Sequence, residues 1–168
     1  MTSAELLADA FARIGETVRA VVDGLSPEQL AFRVGGTSNS ISWLVWHLTR
    51  VQDDHLADAA GTDQAWASSD WVERFGLPFD VTDTGYGHTS QQVAAVIGDG
   101  AKLVGYHDDV LGRTLRFLQS VTDADLGKVV DERWDPPVTL GVRLVSVVND
   151  DLQHAGQAAY VRGILERR

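Results

Sequence analysis

An aspartate and a histidine lie one helical turn apart near the end of the chain. Asp150 and His154 are separated by four positions in the segment Asn149–Gln157, and this spacing places both side chains on one face of a helix. One carboxylate and one imidazole so placed suit a divalent cation, and a histidine on a facing helix would complete a three-ligand site. The same spacing is typical of a solvated pair on a helix surface, so the pattern alone leaves both interpretations open.

The other histidines differ in their surroundings. His47 flanks the apolar stripe of a predicted helix, where a side chain can point into a groove between helices. His55 and His107 fall on apolar helix faces, which favours buried, hydrogen-bonded residues over ligands. His88 ends a long connection and either enters a site from a lid or caps the following helix.

Three arginines are candidates for holding a substrate carboxylate, because a guanidinium group binds a carboxylate through two parallel hydrogen bonds. They are Arg50, Arg143 and Arg162. Salt bridges to the many aspartates are the favoured alternative.

Hydrophobic periodicity predicts four long helices that would position these residues. They span about 3–24, 39–60, 90–120 and 139 almost to the end, and glycines 98, 100, 105 and 112 predict a kink in the third. Ser38 or Asn39 is the expected cap of the second helix. Strand signals are weak, since Val129-Val130 has no partner run. The pattern indicates an all-α four-helix bundle with a long connection, 61–89, that is either a lid or a packed loop.

Composition excludes several classes of function. The 168-residue chain has no cysteine, so any metal must be bound by nitrogen and oxygen and any reactive thiol must come from outside. A net charge of −10 without a basic stripe argues against nucleic acid. The absence of a signal-like or membrane-spanning apolar run predicts a cytoplasmic protein. The length fits a single domain over 1–168.

Two segments carry a resemblance to a known family. Ser40-Ile-Ser-Trp-Leu-Val-Trp-His47-Leu48 and His154-Ala-Gly-Gln-Ala-Ala-Tyr-Val-Arg162 resemble the DinB/YfiT-like superfamily, and Gly24-Leu-Ser-Pro-Glu-Gln-Leu30 resembles the loop after its first helix. Within it, the chain is most similar to the mycothiol-dependent maleylpyruvate isomerase and mycothiol transferase branch. The resemblance covers nearly the whole chain and implies a DinB-like four-helix bundle.

The resemblance also implies a metal site at His47, Asp150 and His154. The middle ligand is His in many relatives and Glu in the mycothiol branch, whereas here it is Asp, one methylene shorter. Asp151 is a neighbouring option. Relatives often carry a second His where Gln157 stands.

A second implication concerns assembly. In this family the helix face that carries Trp43 and Trp46 often meets a partner subunit, which predicts a homodimer contact at these residues.

The implied activity is thiol S-transfer, in which a thiol such as mycothiol is added to a small electrophilic substrate. The implied cofactor is a divalent metal, zinc or alternatively nickel. The isomerases carry a further C-terminal domain, so a chain ending at Arg168 favours a stand-alone transferase. Two alternatives remain: a non-catalytic metal- or small-molecule-binding stress protein, and a helical dimer whose metal site has decayed.

Overall fold

Helices dominate the structure, which is a computed structural model describing residues 1–167. In chain order the helices and strands are α1 (Ser3–Val22), α2 (Pro27–Leu30), α3 (Ile41–Ala60), α4 (Ala65–Ser68), α5 (Trp71–Phe75), α6 (Ser90–Ala95), α7 (Gly100–Ser120), β1 (Val129–Asp131), β2 (Val138–Thr139) and α8 (Leu140–Leu165), with 3-10 turns at Val34–Gly36 and Asp125–Gly127. The expected all-α, DinB-like bundle is confirmed. No helix within the described residues is long and apolar enough to cross a membrane.

Helices α1, α3, α7 and α8 form the frame. α3 packs against α7 and α8, and α1 packs against the same two helices. Each long helix therefore has two principal neighbours, the arrangement of a four-helix bundle. The contact of His47 with His154 and that of His55 with Arg143 show that α3 and α8 run antiparallel.

The apolar stripes of these helices meet in the interior. The fully buried side chains include Phe11, Ile14, Leu44, Leu48, Leu103, Leu118 and Leu144. Burying one such side chain stabilises the fold by about 1.5–3 kcal/mol. The same burial holds α3 and α8 at a fixed distance, which matters for any site shared between them.

The ends of the long helices follow from local chemistry. The side chains of Thr2, Ser40, Asp99 and Thr139 each accept a hydrogen bond from a backbone N–H in the first turn of the helix that follows. The cap of α3 is therefore Ser40, not Ser38 or Asn39. Gly61 ends α3 with a left-handed φ of 65°, as its position predicted.

The predicted third helix is two helices. α6 ends at Ala95, and α7 begins only after Asp99, whose side chain accepts from the N–H of Lys102. A continuous helix was therefore the wrong prediction, because the glycines around Asp99 weaken helix propagation and Asp99 offers a competing start.

A short hairpin precedes α8. β1 pairs antiparallel with β2, and Val129 lies opposite Thr139. The prediction that Val129-Val130 has no strand partner was wrong, because the partner strand is too short to show an alternating pattern.

The connection between α3 and α6 is packed onto the bundle by two charged side chains of α3. The carboxylate of Asp53 accepts from the N–H groups of Ala65 and Trp66, at 2.8 Å each, at the start of α4. The guanidinium of Arg50 is 0% exposed and donates to the carbonyl of Asp83 at 3.1 Å. The connection is therefore anchored to α3 at two points, the start of α4 and Asp83.

Candidate metal centre

Three side chains from two helices converge at the interface of α3 and α8. His47, Asp150 and His154 each offer a ligand atom, and these atoms all lie within 4.8 Å of one another. The Nε2 atom of His154 is 3.7 Å from Oδ1 of Asp150. The rings of His47 and His154 have centroids 4.8 Å apart. The structure thus brings together the three residues that the sequence singled out.

Asp151 points elsewhere. Its side chain is 0% exposed, neither carboxylate oxygen has a hydrogen-bond partner, and it lies on the core side of α8. Burial raises the pKa of Asp151 well above its usual range, and the charge of Asp150 adds to the effect. The geometry therefore favours Asp150 over Asp151 as the carboxylate of the cluster.

A backbone carbonyl fixes the orientation of His47. The Nδ1 atom of its ring bonds to the carbonyl oxygen of Thr84. A carbonyl only accepts, so Nδ1 carries the proton and Nε2 keeps its lone pair. Burial lowers the pKa of His47, against the opposing effect of this hydrogen bond, and favours the neutral ring that a metal requires.

His154 is oriented in the same way by Gln157. Its Nδ1 lies 3.0 Å from the side-chain oxygen of Gln157, one turn further along α8. Nδ1 is again the donor, which leaves Nε2 available toward Asp150. Gln157, where relatives often carry a second histidine, here supplies the outer hydrogen bond that metal-binding histidines commonly make.

The carboxylate of Asp150 shows that the cluster fits a cation. Its Oδ2 atom is buried and has no hydrogen-bond partner, although the side chain is 37% exposed overall. Ligand atoms about 2.1 Å from one tetrahedral zinc ion are about 3.4 Å apart, and the separation of 3.7 Å between His154 and Asp150 is already close to that value. The shorter aspartate reaches the cluster without a change of helix spacing.

The end of the long connection covers the cluster at Gly85. Gly85 has a φ of 92°, and a Cβ there would lie 2.9 Å from Nδ1 of His47 and from a ring carbon of Trp46. Only glycine allows so close an approach at this φ. The ring of Trp43 stacks on that of His47, with centroids 4.5 Å apart. The cluster is therefore closed on this side by the chain itself.

Sequence reasoning missed a supporting network beneath this cover. Trp43 donates from Nε1 to Nδ1 of His88 at 3.1 Å, so His88 must carry its proton on Nε2, which lies 3.1 Å from both carboxylate oxygens of Asp83. Burial alone would raise the pKa of Asp83, but hydrogen bonds from Gly85 and His88 outweigh it and lower that pKa. Thr89, and not His88, caps α6. His88 supports Trp43 rather than entering the cluster.

The two tryptophans predicted at a dimer contact lie inside the chain. Trp43 is 6% exposed and Trp46 is 1% exposed. Both are covered by the segment around Gly85. The prediction that they face a partner subunit was wrong, because periodicity on α3 did not show which distant segment would cover them.

The arginines considered for substrate binding are all engaged within the chain. Arg50 is buried against the long connection, Arg143 pairs with Asp131 at 2.8 Å, and Arg162 donates to the carbonyls of Ala20 and Asp23 at 2.7 Å each. The favoured interpretation, a salt bridge to an aspartate, holds for Arg50, which lies 3.5 Å from Asp53, and for Arg143. Arg162 pairs instead with Glu166 and the two carbonyls.

The two remaining histidines differ from each other. His107 is 0% exposed and lies 3.2 Å from the hydroxyl of Thr49, as expected of a buried histidine. His55 is not buried: its side chain is 35% exposed and lies between Asp54 and Arg143. The prediction for His55 was wrong in this respect. Neither joins the cluster.

A four-helix frame with a histidine on α3 and a carboxylate–histidine pair on α8 defines a DinB-like helical protein. The family model described as mycothiol S-transferase matches residues 6–167. The chain belongs to this family, which is DinB-like.

One solved structure extends the comparison. The crystal structure of a conserved protein of locus from Enterococcus faecalis superimposes with a TM-score of 0.91 and 28% identity, covering 100% of this chain and 99% of that one. Among curated proteins, none has a sequence that matches this chain.

Proposed function

We propose that this protein is a divalent-metal-dependent thiol S-transferase that joins a low-molecular-weight thiol of the mycothiol type to an electrophilic small molecule. The observation that carries the proposal is the cluster of His47, Asp150 and His154, in which both imidazoles have Nδ1 engaged and Nε2 free. Membership of the mycothiol S-transferase family supports the choice of thiol.

The donor set of the cluster suits zinc, with nickel as the alternative. A bound divalent cation lowers the pKa of a thiol that it coordinates, so that the sulfur is held as a thiolate at neutral pH. Three protein ligands leave a position for the cosubstrate. Since the chain has no cysteine, the nucleophilic sulfur must come from that cosubstrate.

The overall reaction is a displacement at carbon or an addition. The thiol loses its proton to the solvent and its sulfur forms a bond to the electrophilic carbon. In a displacement the leaving group departs with its electron pair, and in an addition the electron pair of the attacked double bond takes up a proton from the solvent. The chain positions this event: Thr84 and Gln157 hold the two imidazoles, while Gly85 and Trp43 keep water from the side of His47.

The test compares two adjacent carboxylates. Asp150→Asn should abolish both the stoichiometric zinc content, measured by mass spectrometry, and thiol-dependent turnover, because it removes the anionic ligand. Asp151→Asn is the matched control and should retain both, since its side chain faces the core.

Each other outcome has a definite meaning. Wild-type protein that binds no zinc even after incubation would refute the proposal and leave a bundle with a decayed site. Zinc without turnover for mycothiol and a panel of electrophiles would identify a non-catalytic binding protein. Loss of zinc in Asp151→Asn but not in Asp150→Asn would refute the assignment of the ligand.

We further propose that residues 1–168 act as one domain and that the protein works in the cytoplasm, where such thiols are kept reduced. We also propose that it forms a homodimer. The proposed dimer contact is the first half of α8, where Val142 and Val145 are 53% and 61% exposed. Two exposed apolar side chains on one helix face provide a place where a second copy could pack. Val145→Glu should shift the sedimentation of a dimer to that of a monomer, and an unchanged sedimentation coefficient would refute this contact.

A further inference from the structure

A groove lined by uncharged residues runs along the second half of α8, from Gln153 to Val161. It encloses about 550 Å³ between α8 and the segment that leads into α3. Its walls include Val34, Leu44, Gly156, Tyr160 and Val161, and none of the residues from 1 to 167 that line it is charged. A volume of this size accommodates a small organic molecule.

The groove adjoins the candidate metal cluster through one residue. Gln157 lines the groove and also accepts the hydrogen bond from Nδ1 of His154. Gln153, which precedes His154, lines the same groove. A molecule in the groove therefore contacts Gln157, the side chain that orients the imidazole of His154.

The chemistry of the groove identifies its occupant. The chain as a whole has a net charge of −10, yet the described residues of the groove present aliphatic walls, an aromatic ring, neutral amides and two hydroxyl groups. Tyr160 is 71% exposed at the rim, where its ring is available for stacking. The accessible lining is mainly apolar, so a thiol of the mycothiol type, which is rich in hydroxyl groups, would leave most of them unpaired there.

We propose that this groove binds the uncharged, apolar and preferably aromatic body of the electrophilic substrate, next to the site where the thiol reacts. This assignment rests on the proposed function. With an aryl chloride, the thiol proton passes to the solvent, the sulfur–carbon bond forms, and chloride leaves with the electron pair of the carbon–chlorine bond.

Gly156 allows the groove to be filled without disturbing the fold. A Cβ at this position would have no neighbour within 4 Å, and leucine is a better helix former than glycine. Ala159→Leu is the matched control, since Ala159 is also exposed on α8 but does not line the groove. Tyr160→Ser provides a second variant, in which a wall is removed instead.

The first measurement is binding without reaction. Calorimetric titration with 1,3-dinitrobenzene, which has no leaving group, should show binding that weakens at least about tenfold in Gly156→Leu. Binding should also weaken in Tyr160→Ser and remain as in the wild type in Ala159→Leu. Zinc content, measured on the same samples, reports separately on the metal cluster.

The second measurement is selectivity. The ratio of kcat/KM for 1-chloro-2,4-dinitrobenzene to that for iodoacetamide should fall about tenfold in Gly156→Leu, because only the aromatic substrate fills the groove. Equal binding of 1,3-dinitrobenzene by the wild type and Gly156→Leu would overturn the proposal even if zinc and turnover are normal.

A second copy of the chain is the competing occupant. Dissociation of a dimer by Gly156→Leu, with no binding of 1,3-dinitrobenzene to the wild type, would also overturn the proposal. Absence of zinc and of turnover in the wild type would instead refute the proposed function, by a measurement independent of the groove.

Discussion

Replacement of Gly85 by alanine tests how the long connection controls the metal cluster. The added Cβ would lie 2.9 Å from Nδ1 of His47 and 3.3 Å from a ring carbon of Trp43. Ordinary contacts lie at about 3.5–4.0 Å, so the backbone must move by at least about half an ångström. The carbonyl of Thr84 precedes Gly85 directly and moves with it, and the hydrogen bond to His47 is lost or lengthened.

The expected cost has two parts that can be separated. A non-glycine residue at positive φ costs about 1–2 kcal/mol. Loss of the outer hydrogen bond of a ligating histidine lowers metal affinity by about 10–100-fold, which corresponds to about 1.4–2.7 kcal/mol. Gly87→Ala isolates the first part, because Gly87 has a φ of 73° but no atom within 4 Å of its Cβ position.

The assay is zinc competition with a chromophoric chelator at pH 7.5, together with urea unfolding of the metal-free proteins. Both variants should lose stability, but only Gly85→Ala should lose zinc affinity by about 10–100-fold. Equal zinc affinities in the two variants would refute the reasoning, because they would show that the contact with His47 does not orient the ligand.

Three further predictions concern stability. Burial lowers the pKa of His107 to about 4, below its unfolded value of 6.5. The contribution of the neutral ring to stability is therefore fully present above pH 6.5 and is lost as the pH falls toward 4. Between pH 7 and pH 4, the free energy of unfolding in urea should fall by about 3 kcal/mol more in the wild type than in His107→Gln. Arg50→Met should cost about 3 kcal/mol by the same assay, because it leaves Asp53 buried without its cation, and a cost below about 1 kcal/mol would contradict this. Gly156→Ala should raise the free energy of unfolding by about 1 kcal/mol. Gly105→Ala should lower it, because a tryptophan ring lies 2.9 Å from the position of a Cβ at Gly105. A thermal shift of the same sign in both variants would contradict the prediction.

Local chemistry made the long helices predictable. Thr139 begins α8 and Gly61 ends α3 where short-range rules place a cap and a left-handed residue. The break before Asp99 was not predicted in full, because a kink and a complete interruption produce the same glycine-rich pattern. The hairpin before α8 was missed, since it depends on two short segments finding each other across a turn.

The supporting residues of the site lie beyond local rules. Thr84 is 37 positions from His47, and His88 is 45 positions from Trp43. No periodicity links such residues, so the hydrogen bonds that orient His47 and hold Trp43 were invisible. Gly85 and Gly87 look alike in the sequence, so nothing in it marked Gly85 as the glycine that approaches His47 and Trp46.

By itself, the sequence determined that Asp150 and His154 share one face of a helix, because helical geometry relates residues four positions apart wherever the helix lies. It also determined that any thiol must come from outside, since the chain has no cysteine. Only the tertiary structure decided that Asp150 rather than Asp151 faces His47. The choice depends on which side of α8 packs into the core. The bundle is stabilised by burying the apolar side chains of α8, and Asp151 lies on that buried side, whereas Asp150 lies at the interface with α3.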